Sequence, residues 1–245
     1  MHRSIVLALL LSLPAGAAAA ADIPTYVTQA LADPTRPKED RDADALRAPG
    51  ETIVFAGIKP GMTIAELYPC GGYFSRPLSD VIGPKGKVYG LEATRWMDCV
   101  EADQKVLTEL PVKNMTLDAI AIGTVKLPEP VDLIWITQNY HDLHVKKFGP
   151  VDMAAFNRQV FAALKPGGVF FVLDHTGAPG MSEDDISKLH RIPKSQIIRE
   201  VTAAGFKLVE ENHILNRPND DLTKVIFDPA VRGHTDQYAL KFVKP

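Results

Sequence analysis

The chain has few cysteines and no excess of charge of either sign. Its 245 residues include only two cysteines, Cys70 and Cys99, and its 27 lysine and arginine residues nearly balance 30 aspartate and glutamate residues. Two cysteines are too few for a disulfide scaffold, so ordinary hydrophobic burial must stabilise the fold. A net charge of -3 without a basic cluster offers no electrostatic surface to nucleic acid, which we therefore do not expect as a partner.

Long hydrophobic runs are also lacking beyond the first residues. A basic start is followed by an apolar run over residues 5–13 and by alanines up to Ala21. A run of about 10 residues is too short to span a membrane, but it is typical of the core of a secretory signal peptide. We therefore predict a signal peptide over residues 1–21, cleavage before Asp22, no stable membrane anchor, and a periplasmic or secreted product.

Strand and helix patterns alternate along the rest of the chain. The polar, proline-containing segment 22–47 is interpreted as an extended arm, and residues 48–245 as one domain. Apolar runs bounded by glycine turns predict strands, and apolar residues at helical spacing predict helices. Strands are predicted at 63–68, 87–92, 115–119, 132–137, 169–173, 206–211 and 237–243, and helices at about 49–56, 71–82, 94–110, 152–164 and 192–204. This order predicts an α/β fold with a doubly wound, mostly parallel sheet.

Polar side chains follow the predicted fourth and fifth strands. Asn139, Tyr140, His141 and His144 come after the fourth strand, and His175 ends the fifth. Ligands of doubly wound sheets bind outside the carboxyl ends of the strands, so these residues are candidate catalytic groups. Because imidazole titrates near neutral pH, His141 is the first candidate general base, with His144 and His175 behind it.

Two alternatives for these histidines stay open. A histidine in such a loop can serve only to hydrogen-bond the backbone. A metal site is the second alternative, because His141 and His144 with Asp174 and His175 are suitable ligand types for zinc or a similar ion. The pattern favours general-base chemistry, and no metal is predicted.

Three segments near strand ends match one known pattern. They are Ile64-Ala65-Glu66-Leu67 leading to Gly71-Gly72, the acidic Glu92 at the end of the next strand, and the turn Leu164-Lys165-Pro166-Gly167-Gly168 before a hydrophobic strand. Together they resemble the class I S-adenosylmethionine-dependent methyltransferases, over nearly the whole mature chain. The resemblance implies a Rossmann-like, seven-stranded sheet whose last strand is antiparallel, and S-adenosylmethionine as the cofactor.

The resemblance also implies which residues contact the methionine part of the cofactor. In the family an acidic residue is followed by three glycines at alternate positions, and here that register gives Glu66 and then Tyr68, Cys70 and Gly72. Gly71 beside Gly72 keeps backbone freedom where the helix begins. Because two of the three glycines are replaced, we expect weak binding of S-adenosylmethionine.

Two further acids are assigned to the nucleoside by the same resemblance. Glu92 would accept hydrogen bonds from the ribose hydroxyls, and Asp118 is similar to the family's acid on the adenine side. More narrowly, Gln138-Asn139-Tyr140-His141-Asp142, His190-Arg191-Ile192 and Phe227-Asp228-Pro229-Ala230 are similar to a family of exported bacterial proteins described as predicted methyltransferases, with an Asn-Tyr-His-Asp motif.

The two cysteines are predicted to lie at the same edge of the sheet. Cys70 follows the first strand, and Cys99 begins the helix after the second. A disulfide requires that their Cα atoms be no more than about 7 Å apart, and otherwise both are free thiols. A bond at this place would lie beside the cofactor loop.

The function predicted from the sequence is methyl transfer from S-adenosylmethionine to an unidentified small molecule. The alternative is a non-catalytic or metal-dependent periplasmic ligand-binding descendant of the same fold, because a fold does not decide a function. The sequence predicts no oligomeric state.

Overall fold

The computed structural model describes residues 22–149 and 151–245, so the predicted signal peptide lies outside the described residues. Seven strands form one sheet: β1 Thr63–Leu67, β2 Lys87–Ala93, β3 Met115–Ile120, β4 Val131–Thr137, β5 Leu164–His175, β6 Lys207–Asn212 and β7 Gln237–Val243. The helices of the described residues are α1 Thr25–Leu31, α2 Lys38–Arg47, α3 Pro49–Ala56, α4 Ser75–Ile82, α5 Met97–Glu109, α6 Met153–Ala163, α7 Glu183–Leu189 and α8 Lys194–Ala203. Short 3-10 helices lie at His141–His144 and Lys146–Phe148.

The strand order is β3-β2-β1-β4-β5-β7-β6. The strands β1 to β5 run parallel to one another, and β7 is antiparallel to both β5 and β6. The chain moves outward from β1 to β2 and β3, then returns to place β4 on the other side of β1. The predicted doubly wound, mostly parallel sheet is therefore confirmed, with its switch point between β1 and β4.

Helices cover both faces of the sheet, so the apolar strand β5 is buried on both sides. Phe170 and Val172 pack in a core cluster with Phe156 of α6 and Val201 of α8. The alternate side chains of β5, including Phe171, pack in a second cluster with residues of α3 and α4. Each side chain buried in this way stabilises the fold by roughly 1.5 to 3 kcal/mol.

The segment 22–47 is not an extended arm, and this prediction was wrong. It forms α1 and α2, and the prolines taken as signs of extended chain, Pro24 and Pro37, stand directly before these helices. The fixed φ of proline suits the start of a helix as well as extended chain. Arg36 then joins the two helices, because its side chain, 1% exposed, makes a two-point ion pair with Asp44 of α2 at 2.8 Å.

Other differences from the sequence prediction are smaller. Helix α5 begins at Met97, three residues after its predicted start. Helix α7 and both 3-10 helices were not predicted. Among the described residues, no helix combines the length and the apolar character needed to cross a membrane.

Candidate functional site

A cavity of about 670 Å³ opens outside the carboxyl ends of β1, β4 and β5, at the switch point of the sheet. The loop after β1 and the end of α2 form one wall, and the loop after β4 with the chain around 226–237 forms the other. The polar residues that line it are Arg47, Glu66, Tyr68, Tyr73, Thr137, Gln138, Asn139, His141, Asp142, His175, Arg232, Thr235 and Gln237. Ligands of doubly wound folds bind at this position, so the cavity is the candidate functional site.

His141 is fixed in the wall of the cavity by Asp174 at the end of β5. The backbone N–H of His141 donates to Asp174 Oδ2 at 2.8 Å, and the ring Nδ1 lies 2.7 Å from Asp174 Oδ1. Both side chains are buried, at 1% and 0% exposure. The turn at Gln138, which has a φ of 61°, starts the 3-10 helix that brings His141 against β5. Because Nδ1 is engaged, Nε2 is the ring nitrogen left for other partners.

Asp142, His175 and His190 surround His141. Asp142 Oδ1 lies 3.4 Å from His141 Nε2 and 3.0 Å from His190 Nδ1. The ring of His175 is 5.6 Å from that of His141, and its Nδ1 is 2.8 Å from the Thr235 hydroxyl. The site therefore contains three imidazoles, with the rings of His175 and His190 at 5.6 and 5.4 Å from that of His141, and a carboxylate between His141 and His190.

The environment separates the pKa values of two of these histidines. Burial lowers the pKa of His141, but the carboxylates of Asp174 and Asp142 outweigh this effect and raise it above its ordinary value. Burial, together with the charge of His141, holds the pKa of His175 well below its ordinary value. Near neutral pH this favours a charged His141 beside a neutral His175.

The other predicted catalytic residues divide between cavity and core. Asn139 lines the cavity, where its amide donates to Asp142 Oδ2 at 3.1 Å. Tyr140 is fully buried, and its hydroxyl donates to Glu200 of α8 at 2.9 Å. The Nε2 of His144 lies 3.2 Å from the same carboxylate. Tyr140 and His144 are therefore not on the cavity, because Glu200 draws both side chains towards α8.

The loop after β1 replaces two glycines without changing to an extended backbone. Tyr68 and Cys70 have φ values of 57° and 28°, in the left-handed region that favours glycine. The Tyr68 hydroxyl accepts a hydrogen bond from the N–H of Gly123 after β3, at 3.0 Å, and its ring makes an edge contact with Trp96 at 5.3 Å. The Tyr68 side chain thus crosses the carboxyl end of β2 and fills the space there.

Cys70 and Cys99 form a disulfide, with their Cα atoms 4.5 Å apart. The two cysteines lie at the same edge of the sheet, as predicted, and the bond, which the sequence left open, ties the loop after β1 to α5. Gly72 packs on the same helix, where a Cβ would lie 2.7 Å from Val106, and the N–H of Gly71 donates to Asp103 at 2.7 Å. Gly71 and Gly72 therefore shape the loop against α5, and neither lines the cavity.

Glu92 and Asp118 do not line the cavity either. Glu92 ends β2 as predicted, but it is 0% exposed, and its carboxylate accepts from the N–H groups of Cys70 at 3.0 Å and Ala93 at 2.6 Å. Burial raises its pKa to about 8. Asp118 is exposed on the edge strand β3. Neither residue therefore faces a ligand held in this cavity, and the loop after β1 covers Glu92.

Glu66 and Arg47 line the cavity at the end of β1. Glu66 is 2% exposed, accepts from the Ser75 hydroxyl at 2.6 Å, and has its pKa raised to about 8 by burial. Arg47 lies over the ring of Tyr73 at 3.9 Å and donates to Gln138 Oε1 at 3.1 Å. Sequence reasoning missed Arg47 because its segment was interpreted as an arm.

Asp142 and His190 were also missed as members of the site. Asp142 stood within the polar run after β4, which was a usable signal. His190 is 48 residues away along the chain, and only the folded structure brings it beside Asp142.

No protein-family model and no curated protein sequence matches the chain. Solved structures do match its fold. An S-adenosylmethionine-dependent methyltransferase from Aquifex aeolicus is 18% identical with a TM-score of 0.60, covering 89% of this chain and 97% of that chain. Aeropyrum pernix fibrillarin with natively bound S-adenosyl-L-methionine is 19% identical with a TM-score of 0.52, covering 82% and 76% of the two chains.

The [4+2]-cyclase SpnF is a third match, 15% identical with a TM-score of 0.59, covering 84% of this chain and 80% of that chain. These likenesses, with the strand order, show that the chain has the fold of the class I S-adenosylmethionine-dependent methyltransferases, as predicted. The cyclase illustrates that one fold can carry different reactions.

Proposed function

We propose that the chain is an S-adenosylmethionine-dependent methyltransferase that acts on a small molecule held in the cavity. The observation that carries the proposal is that Arg47 and Glu66 both line the cavity wall, next to the loop after β1. The shared fold with the Aquifex aeolicus methyltransferase and with fibrillarin supports the choice of cofactor.

The methionine end of S-adenosylmethionine fits these two side chains. A guanidinium such as that of Arg47 binds a carboxylate through two hydrogen bonds, and the Glu66 carboxyl can pair with an ammonium group. Both groups line one end of the same cavity, so they suit an α-amino acid moiety. Gln138, which accepts from Arg47, helps to aim the guanidinium.

In this structure the nucleoside part of S-adenosylmethionine does not fit at the end of β2, where the resemblance to the methyltransferases would place it. The Tyr68 side chain fills the space at the end of β2, and the Glu92 carboxylate is engaged with two backbone N–H groups. For a nucleoside to bind there, Tyr68 must give up its hydrogen bond to Gly123 and its contact with Trp96. This cost is consistent with the weak binding that the sequence predicts.

The histidines beside the cavity supply the acid–base chemistry in this proposal. S-adenosylmethionine supplies an electrophilic methyl group when it is bound. His175, kept neutral by its lowered pKa and oriented by Thr235, accepts the proton of the methyl acceptor. His141, charged and held by Asp174, stabilises negative charge on the acceptor. Asn139 keeps Asp142 in place beside His141.

We also propose that the chain is exported and belongs with the exported bacterial proteins it resembles. The signal-peptide pattern of residues 1–21 supports export. The Cys70–Cys99 disulfide is consistent with it, because such bonds persist mainly in oxidising compartments.

Calorimetric titration tests the cofactor assignment. Protein beginning at Asp22 is titrated with S-adenosylmethionine and S-adenosylhomocysteine. Arg47→Ala should weaken binding roughly 10-fold to 150-fold, the effect of losing one charged hydrogen-bonding partner. Arg158→Ala, which changes an exposed arginine of α6, is the matched control and should leave the affinity unchanged.

A second variant tests the filled nucleoside position. Tyr68→Gly restores the glycine of the family pattern and removes the ring, so it should strengthen binding of both compounds. Thermal unfolding of each variant checks that it is folded. If neither the wild type nor Tyr68→Gly binds either compound at millimolar concentration, the methyltransferase proposal is wrong.

A further inference from the structure

Three ligand-type groups converge where the wall of the cavity meets α7. His141, Asp142 and His190 each offer one atom, and these atoms all lie within 4.8 Å of one another. Asp142 Oδ1 is 3.4 Å from His141 Nε2 and 3.0 Å from His190 Nδ1. Two imidazole nitrogens and a carboxylate oxygen are thus gathered around one point.

We propose that His141, Asp142 and His190 form a binding site for a divalent first-row transition-metal ion. Zinc lies about 2.0 to 2.2 Å from nitrogen and oxygen ligands in tetrahedral sites, so neighbouring ligand atoms are roughly 3.3 to 3.6 Å apart. The two separations from Asp142 Oδ1 are close to this range, the two histidine nitrogens lie within 4.8 Å of each other, and small rotations of the side chains bring all three into it. Imidazole and carboxylate together suit zinc and its neighbours better than calcium or magnesium. This proposal does not depend on methyl transfer, and an ion bound at Nε2 of His141 replaces the proton that the charged ring otherwise carries there.

Asp174 and Asn139 each make a hydrogen bond to one of the proposed metal ligands and so fix its orientation. The Nδ1 of His141 is 2.7 Å from the fully buried Asp174 carboxylate, which leaves Nε2 as the coordinating nitrogen. Metal-binding histidines commonly use their second nitrogen in this way, which fixes the ring and increases its basicity. Asn139 holds the other oxygen of Asp142 at 3.1 Å, so Oδ1 stays directed at the two histidines.

His190 is held in place by the end of α7 and by a buried ion pair. It caps α7 in a left-handed conformation, with a φ of 54°, and its N–H donates to the carbonyl of Ile186. The next residue, Arg191, is 0% exposed and pairs with Asp220 through two bonds of 2.8 and 2.9 Å. This ion pair fixes the segment that presents His190 to Asp142.

The ligand set differs from the one that the sequence alone suggested. His144 lies between Glu183 and Glu200 at 3.0 and 3.2 Å, away from the cavity. Asp174 lies behind the ring of His141 and does not share its Nε2 side. His141 and Asp142 line the cavity, so an oxygen of a small molecule in the cavity can complete the coordination, with His175 beside it.

Metal binding by tag-free protein tests the proposal. Protein beginning at Asp22 is treated with chelator, dialysed, and equilibrated with Zn²⁺ for elemental analysis and competition titration. We expect one ion per chain, and a visible absorption band of low-coordinate Co²⁺ when cobalt replaces zinc. His190→Ala and Asp142→Asn should weaken Zn²⁺ binding by about 100-fold or more, and Asp174→Asn by about 10-fold to 100-fold.

Two exposed histidines provide the controls. His213→Ala and His234→Ala should leave Zn²⁺ affinity, stoichiometry and the Co²⁺ spectrum unchanged. Thermal unfolding checks each variant, and His190→Gln serves if His190→Ala does not fold. The proposal is overturned if the wild type binds no zinc at near-millimolar concentration. It is also overturned if folded Asp142 and His190 variants bind zinc as well as the wild type, since the binding would then be adventitious.

Discussion

The buried carboxyl group of Glu66 should make the folded chain less stable as the pH rises, and Glu66→Gln should remove this pH dependence. Burial raises the pKa of Glu66 to about 8, whereas its ordinary value is 4.5. Between these values the folded chain keeps a proton that the unfolded chain has released, so raising the pH favours unfolding. The contribution of Glu66 is therefore intact below about pH 4.5 and is lost as the pH rises through about 8.

The size of this effect follows from the difference in pKa. One pKa unit corresponds to about 1.4 kcal/mol, so the shift from 4.5 to about 8 corresponds to at most about 5 kcal/mol. Glutamine has nearly the same size and keeps an oxygen for the Ser75 hydroxyl, but it does not titrate. The unfolding free energy of Glu66→Gln relative to wild type should therefore rise by up to about 1.4 kcal/mol per pH unit across this interval.

Urea unfolding at several pH values between about 5 and 8.5 measures the difference, with tryptophan fluorescence as the signal. Trp96 and Trp135 report on the loop region and on the core. Glu51→Gln makes the same chemical change at an exposed position of α3 and is the matched control. If the Glu66→Gln and wild-type curves run parallel across the whole range, the argument from burial of Glu66 is wrong.

Three further predictions concern the disulfide, the cofactor and the start of the chain. Alanine at both Cys70 and Cys99 should lower the unfolding free energy by about 3.5 kcal/mol, given their separation of 29 residues, and equal urea midpoints with and without the bond would contradict this. Binding of S-adenosylmethionine near neutral pH should release close to one proton from Glu66, since its ammonium group favours the carboxylate. Calorimetry in buffers of different ionisation enthalpy measures this release, and Glu66→Gln should lose it. The intact mass of the exported protein should correspond to a start at Asp22, and a mature species beginning at Met1 would contradict export.

Most strands could be predicted because their signal is local. The run Phe170–Leu173 is apolar at every position, and each of its side chains is at most 1% exposed. Helix α7 was missed because Ile186 is its one fully buried residue, so it has no apolar face. Its capping box of Ser182 and Asp185 was the signal available in the sequence.

Within the candidate site, only the residues that lie at the ends of strands could be predicted from the sequence. His141, His175 and Glu66 follow or end strands that are adjacent in the sheet, and all three line the cavity. Arg47 ends α2 and His190 follows α7, and no local pattern reveals how these two helices pack around the site. For Glu92 the strand end was predictable, but its burial depends on the loop after β1 folding back over it.

The loop after β1 has left-handed backbone conformations, which favour glycine, at Tyr68 and Cys70. Its contacts explain how these two residues are tolerated there. Two left-handed residues cost about 1 to 3 kcal/mol each. The disulfide contributes about 3.5 kcal/mol, and the hydrogen bonds of Tyr68 with Gly123 and of Cys70 with Glu92 add about 1 kcal/mol each. These contributions offset the strain, so the loop can keep its shape while the tyrosine ring occupies the end of β2. The groups still free to meet a ligand are therefore concentrated at the Arg47 end of the cavity and around the histidines after β4 and β5.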